Sequence, residues 1–326
     1  MKTNNKLIRV SLGILITIGM MLSLIISPQV KAADEGFSFA VSPMKEKIVL
    51  NPGEKYTSSL KVYIPSDYNA DVRYQIGVED YFVDENYNNI FSGCGEYCEM
   101  KNWITIDSPK EGVLSPGEKV TIEYTISVPK NAAGGGQYAS IMVQGDKWTG
   151  ESEEEQDSSD NADVTSTIKE VRKIAYTIYA EVAGDVEKNG EIIDINVPSF
   201  LLSGNITGQS SIKNTGNVHG DASYNLQVFP LFSDEEVYTN EEDPATRTIL
   251  PDRTLYHELA WEKTPSIGIF NVVYTVEFEG VTAQAKKMVI KCPIWLLFII
   301  IFAIVAAIIY FVSRARARRA ERRAAE

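Results

Sequence analysis

The sequence predicts an all-β protein, two tandem immunoglobulin-like antiparallel β-sandwiches followed by one C-terminal transmembrane α-helix. Three observations predict it. Apolar residues outside the two ends recur with period 2: Val72, Tyr74, Ile76 and Val78 alternate with polar neighbours, as do Val120, Ile122, Tyr124, Ile126 and Val128, which is the pattern of half-buried strands. Turn residues punctuate these runs at short intervals, and no amphipathic helix interrupts them. Residues 293–312 are an unbroken apolar run followed at once by arginines, long enough to cross a hydrocarbon core.

Residues 1–32 open with Lys2, Lys6 and Arg9, continue through an apolar stretch and end in the small-residue pattern Val30-Lys31-Ala32. This predicts a secretory signal peptide cleaved after Ala32, with an uncleaved signal anchor as the alternative. No cysteine follows the apolar run, which excludes a lipoprotein.

The chain carries −13; residues 1–32 contribute +4 and residues 313–326 another +4, leaving −21 on the exported part. Such a balance disfavours nucleic acid as a partner, because phosphate binding needs clustered Lys and Arg. Three cysteines exclude disulfides as the main source of stability.

The first domain is assigned to residues 33–183. Asn51-Pro52-Gly53-Glu54 and Ser115-Pro116-Gly117-Glu118 each precede a strand, and Pro then Gly at the central positions fits a type II turn. Downstream, Gly136-Gln137-Tyr138 opens a strand as strand F of an immunoglobulin-like sandwich does. Tyr138 therefore fits a tyrosine corner, its hydroxyl bonding backbone a few residues upstream; an ordinary core aromatic is the alternative. Cys94 and Cys98, outside the cell and four positions apart, read as a disulfide closing a tight turn. A metal pair is the alternative, but no second pair or nearby histidine completes four ligands.

Residues 150–163 depart from the strand pattern, with Glu151, Glu153, Glu154, Glu155, Asp157, Asp160 and Asp163 and no basic residue. They occupy the F to G connection, where recognition loops cluster. A calcium site through Asp157, Asp160 and Asp163 is one reading; the spacing does not match an EF-hand, and a solvated, mobile loop is preferred.

A polar, glycine-bearing linker, residues 184–190, leads to the second domain, residues 191–291. There Leu250-Pro251-Asp252-Arg253 repeats the turn, and Gly268-Ile269-Phe270 repeats the glycine-x-aromatic opening, Phe270 taking the place of Tyr138. Leu250-Pro251-Asp252-Arg253-Thr254 also approximates a sortase signal, but it lacks the glycine and lies far upstream of the apolar run. His257 alternates with Leu255, Leu259 and Trp261 on a strand and reads as a satisfied core residue, while His219 sits in a turn.

The helix is assigned to residues 293–312 and a basic cytoplasmic tail to residues 313–326, with Arg314, Arg316, Arg318, Arg319, Arg322 and Arg323 holding it inside by the positive-inside bias. The expected location is the cell membrane, single-pass, with the N-terminus outside.

No catalytic constellation is visible. G-x-S-x-G, H-E-x-x-H and phosphate-loop patterns are missing, and Gly134-Gly135-Gly136 is not followed by Lys-Ser or Lys-Thr. No cofactor is expected.

The order FAVSP, a PG turn with its strand, Trp103, a second PG turn and VPKNAAGGGQYASIMV resembles the N-terminal domain of WxL-interacting cell-surface proteins of Gram-positive bacteria. The likeness spans residues 37–182, including Arg172, Ile174 and Tyr176. The acidic segment and the Cys94/Cys98 pair depart from the family's pattern. The resemblance implies an anchored, non-enzymatic protein whose first domain binds peptidoglycan and whose second contacts another protein. Its partners are then a cell-wall polymer or a secreted or surface protein, and the membrane. A wall-modifying hydrolase and an extracellular sensor or assembly subunit are the alternatives.

Overall fold

The structure is a computed structural model that describes residues 39–148, 150 and 171–324. The expected signal peptide and the acidic residues Glu151, Glu153, Glu154, Glu155, Asp157, Asp160 and Asp163 lie outside the described residues. So do the side chains of Arg316, Arg318, Arg319, Arg322 and Arg323.

The first sandwich contains β1 (Ala40–Ser42), β2 (Lys45–Leu50), β3 (Lys55–Tyr63), β4 (Val72–Asp80), β5 (Phe82–Val83), β6 (Asn89–Ile90), a 3-10 segment (Gly95–Trp103), β7 (Ile104–Ile106), β8 (Glu111–Leu114), β9 (Lys119–Ser127), β10 (Gly135–Lys147) and β11 (Val171–Val182). The second contains β12 (Gly190–Asn196), β13 (Phe200–Leu201), β14 (Ile206–Asn214), β15 (Gly220–Pro230), β16 (Ala245–Ile249), β17 (Thr254–Trp261), β18 (Gly268–Phe278) and β19 (Val281–Lys291), and a single helix, α1 (Ile294–Ala324), follows.

One architecture is used twice. The first domain pairs a sheet of order β1-β3-β9-β7 with one of order β2-β11-β10-β4-β8; the second pairs β12-β14-β17 with β13-β19-β18-β15-β16. Strand for strand the orders coincide, apart from the extra edge strand β7. Two pairings correct the expectation of purely antiparallel sheets: β2 runs parallel to β11, and β13 parallel to β19. In each domain the entering chain first joins one sheet antiparallel, as β1 or β12 does, then crosses over and continues in the same direction along the edge of the other.

The turns explain their sequences. Gly53 and Gly117 hold φ values of +84° and +81°, the left-handed region that glycine enters at least cost. Glu54 N–H donates to the Asn51 carbonyl and Glu118 N–H to the Ser115 carbonyl, each at 3.0 Å. The same two glutamates accept the Asn51 and Ser115 N–H groups on their carboxylates, at 2.7 and 2.8 Å, so each turn is closed from both sides. Asp252 takes the equivalent position of the third turn, with φ +56°.

Between the two sheets of the first domain the Tyr124 and Tyr176 hydroxyls meet at 2.9 Å. Beside them the Glu46 carboxylate accepts from Tyr56, Ser58, Tyr124 and Tyr176. Burial pushes the Glu46 pKa up, but the hydrogen bonds from Tyr124, Tyr176, Tyr56 and Ser58 together hold it below the ordinary carboxylate value. The second core is built from Tyr224, Leu226, Tyr274, Val276 and Phe278.

The one-sided burial of β9 is not repeated along β10, whose residues are covered on both faces from Gly135 to Ile141. Ile141 pairs with Tyr176 and faces the interior; Tyr138 pairs with Tyr179, three positions away, and faces outward. Residues 81–103, which hold the β5–β6 hairpin and the 3-10 segment, cover that outer face. Tyr138 and Phe270 are thus not equivalent, since Phe270 packs in the second core against Trp261.

At the C-terminal end, α1 continues unbroken through the arginine-rich segment to Ala324, so the helix assigned to residues 293–312 and the basic tail from residue 313 are one element. Ala, Arg and Glu all favour helix, and neither Gly nor Pro interrupts them.

Candidate functional site

The linker is pinned by one asparagine. Asn217 accepts the Glu187 N–H on Oδ1 at 2.8 Å, donates Nδ2–H to the Asp185 carbonyl at 2.8 Å and donates its own N–H to the Glu187 carbonyl at 3.0 Å. Its carbonyl accepts the Gly136 N–H at 2.7 Å. A Cβ at Gly134 would lie 2.4 Å from the Asp185 nitrogen, and one at Gly216 would lie 2.2 Å from the Glu187 oxygen. Gly134 of the Gly-Gly-Gly run therefore serves the close approach of the linker backbone, and Gly136 leaves room for the Tyr138 side chain.

The third proline turn is the plug of the junction. Leu250, 1% exposed, enters the outward-facing aromatic cluster of the first domain formed by Tyr81, Phe82, Tyr138 and Tyr179. Tyr87 O–H donates to the Thr248 carbonyl at 2.7 Å and accepts the Leu250 N–H at 3.2 Å. Arg253 donates Nε–H to the Val83 carbonyl at 2.9 Å, and its guanidinium lies 4.9 Å from the Phe82 ring centre. Next to Thr248, Lys47 and Asp221 form an ion pair across the junction, and Thr248 donates its hydroxyl to the same carboxylate at 2.7 Å.

His219 lies inside this junction. Its Nδ1 is 3.4 Å from the Tyr138 hydroxyl, and its ring packs on Tyr138 and Tyr179 with centres 5.7 and 5.5 Å away. Burial, assisted by the charge of Lys47, pushes the imidazole pKa down to about 4. A neutral ring keeps one nitrogen unprotonated, and in its Nε2–H tautomer Nδ1 accepts from the Tyr138 O–H. The hydroxyl expected to close a tyrosine corner onto nearby upstream backbone instead bridges to the other domain, because Tyr138 faces outward.

Beside the junction opens a pocket of about 420 Å³ lined by Phe82, Ile90, Cys94, Tyr97, Asp252 and Arg253, with Gly93 and Gly95. Cys94 and Cys98 are joined by a disulfide that shapes one wall. Phe82 and Tyr97 stack nearly parallel at 5.3 Å, and Tyr97 O–H donates to Asp252 at 3.0 Å. An aromatic surface beside a guanidinium and a carboxylate suits a small polar ligand such as a sugar or peptide end, and no activated nucleophile lines it.

Other residues singled out by sequence fall elsewhere. His257 is not the satisfied core residue expected: its Nε2 is buried without a hydrogen-bond partner, 4.2 Å ring to ring from Tyr224, whose hydroxyl also lacks one. The strands that bracket the acidic segment end at Lys147 and begin at Val171, at the opposite end of their sheet from Gly135 and the junction. Among the described residues no group of three or more His, Cys, Asp and Glu side chains is placed to hold a metal ion.

Sequence reading missed that Leu250–Arg253 bridges two domains. The one signal available was an exposed-looking turn that begins with leucine.

No known family profile matches the chain, and no curated protein sequence does. Among solved structures the chain is similar to the class 5 fimbriae chaperone CfaA, at 13% identity over 79% of this chain and 100% of that chain, with a TM-score of 0.34. The Escherichia coli chaperone DraB matches at 12% identity over 77% of this chain and 97% of that chain, TM-score 0.32. The Pseudomonas aeruginosa CupB2 chaperone matches at 10% identity over 76% and 98%, TM-score 0.32.

Proposed function

We propose that this is a membrane-anchored cell-surface protein whose two-domain head is a non-enzymatic adhesive or scaffolding module, binding cell-wall peptidoglycan or another surface protein. One observation carries the reading: the head is fixed at both of its joints. The linker is held by Asn217 and the junction by Leu250 and Arg253. At the other end, only Cys292 and Pro293 separate β19 from a helix whose 19 residues Ile294–Val312 are long and apolar enough to cross a membrane and are not buried against the rest of the protein. A head fixed in this way holds the first domain at a set distance from the bilayer, which a tethered scaffold needs.

Orientation follows from charge. Six arginines lie just beyond the apolar stretch, which favours that end in the cytoplasm and the head outside. The pocket beside the disulfide and the end of the first domain that bears the acidic segment are the two surfaces offered to a partner. The resemblance to WxL-interacting proteins supports peptidoglycan as the wall polymer.

The test is co-sedimentation of the full chain, in detergent micelles, with purified peptidoglycan. Retention with no release of soluble fragments is the expected result. Release of fragments that scales with protein would replace this reading with the wall-modifying hydrolase. Failure to bind peptidoglycan would move the proposal to a protein partner.

A further inference from the structure

We propose that the membrane-side loops of the second domain enter the lipid headgroup layer, with Phe232 as the inserted side chain; this rests on the anchoring proposed above. Strand register defines which loops these are. Gly268 pairs with Lys291, Pro230 with Phe270 and Phe200 with Ile290. The end of β15, the start of β18, the short β13 and the exit of β19 therefore share one end of the sheet. The opposite end carries Gly220 paired with Ile249, next to the junction.

The spacer sets the distance. Two residues, Cys292 and Pro293, reach about 7 Å when extended, and the headgroup layer on each side of the hydrocarbon is about 5–8 Å thick. The exit is also tied down: Cys292 N–H donates to the Leu201 carbonyl at 2.9 Å, and the Lys291 ammonium to the Gly204 carbonyl at 2.5 Å. This end of the domain cannot stand clear of the bilayer once α1 is inserted.

Its exposed side chains match that location. Phe232 is 96% exposed, and Phe200, Leu202, Ile267 and Ile269 are each at least 40% exposed. Phe232 and Ile269, with Pro230, Leu231 and Ser233, border a shallow, mainly apolar hollow of about 400 Å³. An almost fully exposed phenylalanine costs solvation in water and gains it among lipid chains. Asp234, Glu235 and Glu236 follow Phe232 after Ser233, so insertion is driven by apolar burial and not by attraction to anionic lipid.

The test uses the full chain in phosphatidylcholine–phosphatidylglycerol vesicles, in a Cys292→Ser background where an introduced cysteine is the free thiol. Environment-sensitive dyes are placed by Phe232→Cys, by Ile304→Cys in α1 and by Val113→Cys on the first domain, and each is challenged with a spin-labelled lipid quencher. Loss of fluorescence at positions 232 and 304 but not at 113 is expected. Quenching at 304 with position 232 behaving like 113 overturns the insertion and leaves the anchor standing. No quenching at 304 overturns both.

Discussion

The Tyr138 hydroxyl of the first domain lies 3.4 Å from Nδ1 of His219 in the second, so a titratable ring sits in the contact that fixes the two domains. Its folded pKa, about 4, is below the ordinary histidine value of 6.5. The separated or unfolded chain therefore binds a proton that the docked form refuses. The docked form has its full stability above pH 6.5 and loses it progressively as pH falls toward 4. Lys47 and Lys188 favour the neutral ring, and Asp221 and Glu181 oppose it. Allowing for partial exposure of the ring, the loss is on the order of 2 kcal/mol. Thermal denaturation between pH 7 and pH 4 checks this: His219→Phe should flatten the pH dependence, and an unchanged slope would remove His219 as its source.

Leu250 ties the second domain to the outward-facing aromatic cluster of the first. Leu250→Ala should cost about 2–5 kcal/mol at the junction, and Arg253→Ala adds the loss of the bond to Val83. In calorimetry the variant carrying both changes should resolve two transitions where the unaltered chain shows one. A single transition at the original temperature would mean that the domains do not communicate through this turn.

Glu46 is the shared acceptor of four hydroxyls. Glu46→Ala leaves the Tyr124 and Tyr176 hydroxyls without their charged acceptor, at a cost of about 2–4 kcal/mol. The carboxyl's lowered pKa means that its contribution is present at neutral pH and disappears as pH falls through that lowered value. Urea denaturation at pH 7 and pH 3 should show a variant effect at the first pH that shrinks at the second.

The pocket wall depends on the disulfide. Replacing Cys94 and Cys98 by serine opens a loop of sequence separation 4 and should cost about 2 kcal/mol on loop-entropy grounds. Thiol titration of the denatured native chain should find one reactive group before reduction, Cys292, and three after it; three before reduction would contradict the bond.

Gly134→Ala places a Cβ against the linker backbone. The linker must move, and small-angle scattering should record a broader distribution of domain separations than for the unaltered chain.

Much of the fold was legible because its signals are local. Alternation in β9 and β15, positive φ at Gly53 and Gly117 and a 19-residue apolar helix follow from the residues that form them. The parallel edges of β2 and β13 were not legible, since direction along a sheet edge is fixed by where the chain crosses between sheets. The two faces of β10 were hidden for a related reason: alternation reports one covered face, and the second cover comes from residues 81–103 and from another domain.

The candidate site divides in the same way. Composition and periodicity determined by themselves an acidic β-rich head, an apolar helix and an arginine-rich end. Only the tertiary structure decided that Leu250–Arg253 is a plug, that Tyr138 reaches His219 and that Asn217 holds the linker. Those contacts join positions tens to more than a hundred residues apart, and hydrogen bonding and burial at a junction depend on which surfaces meet, a quantity that no short window of sequence contains.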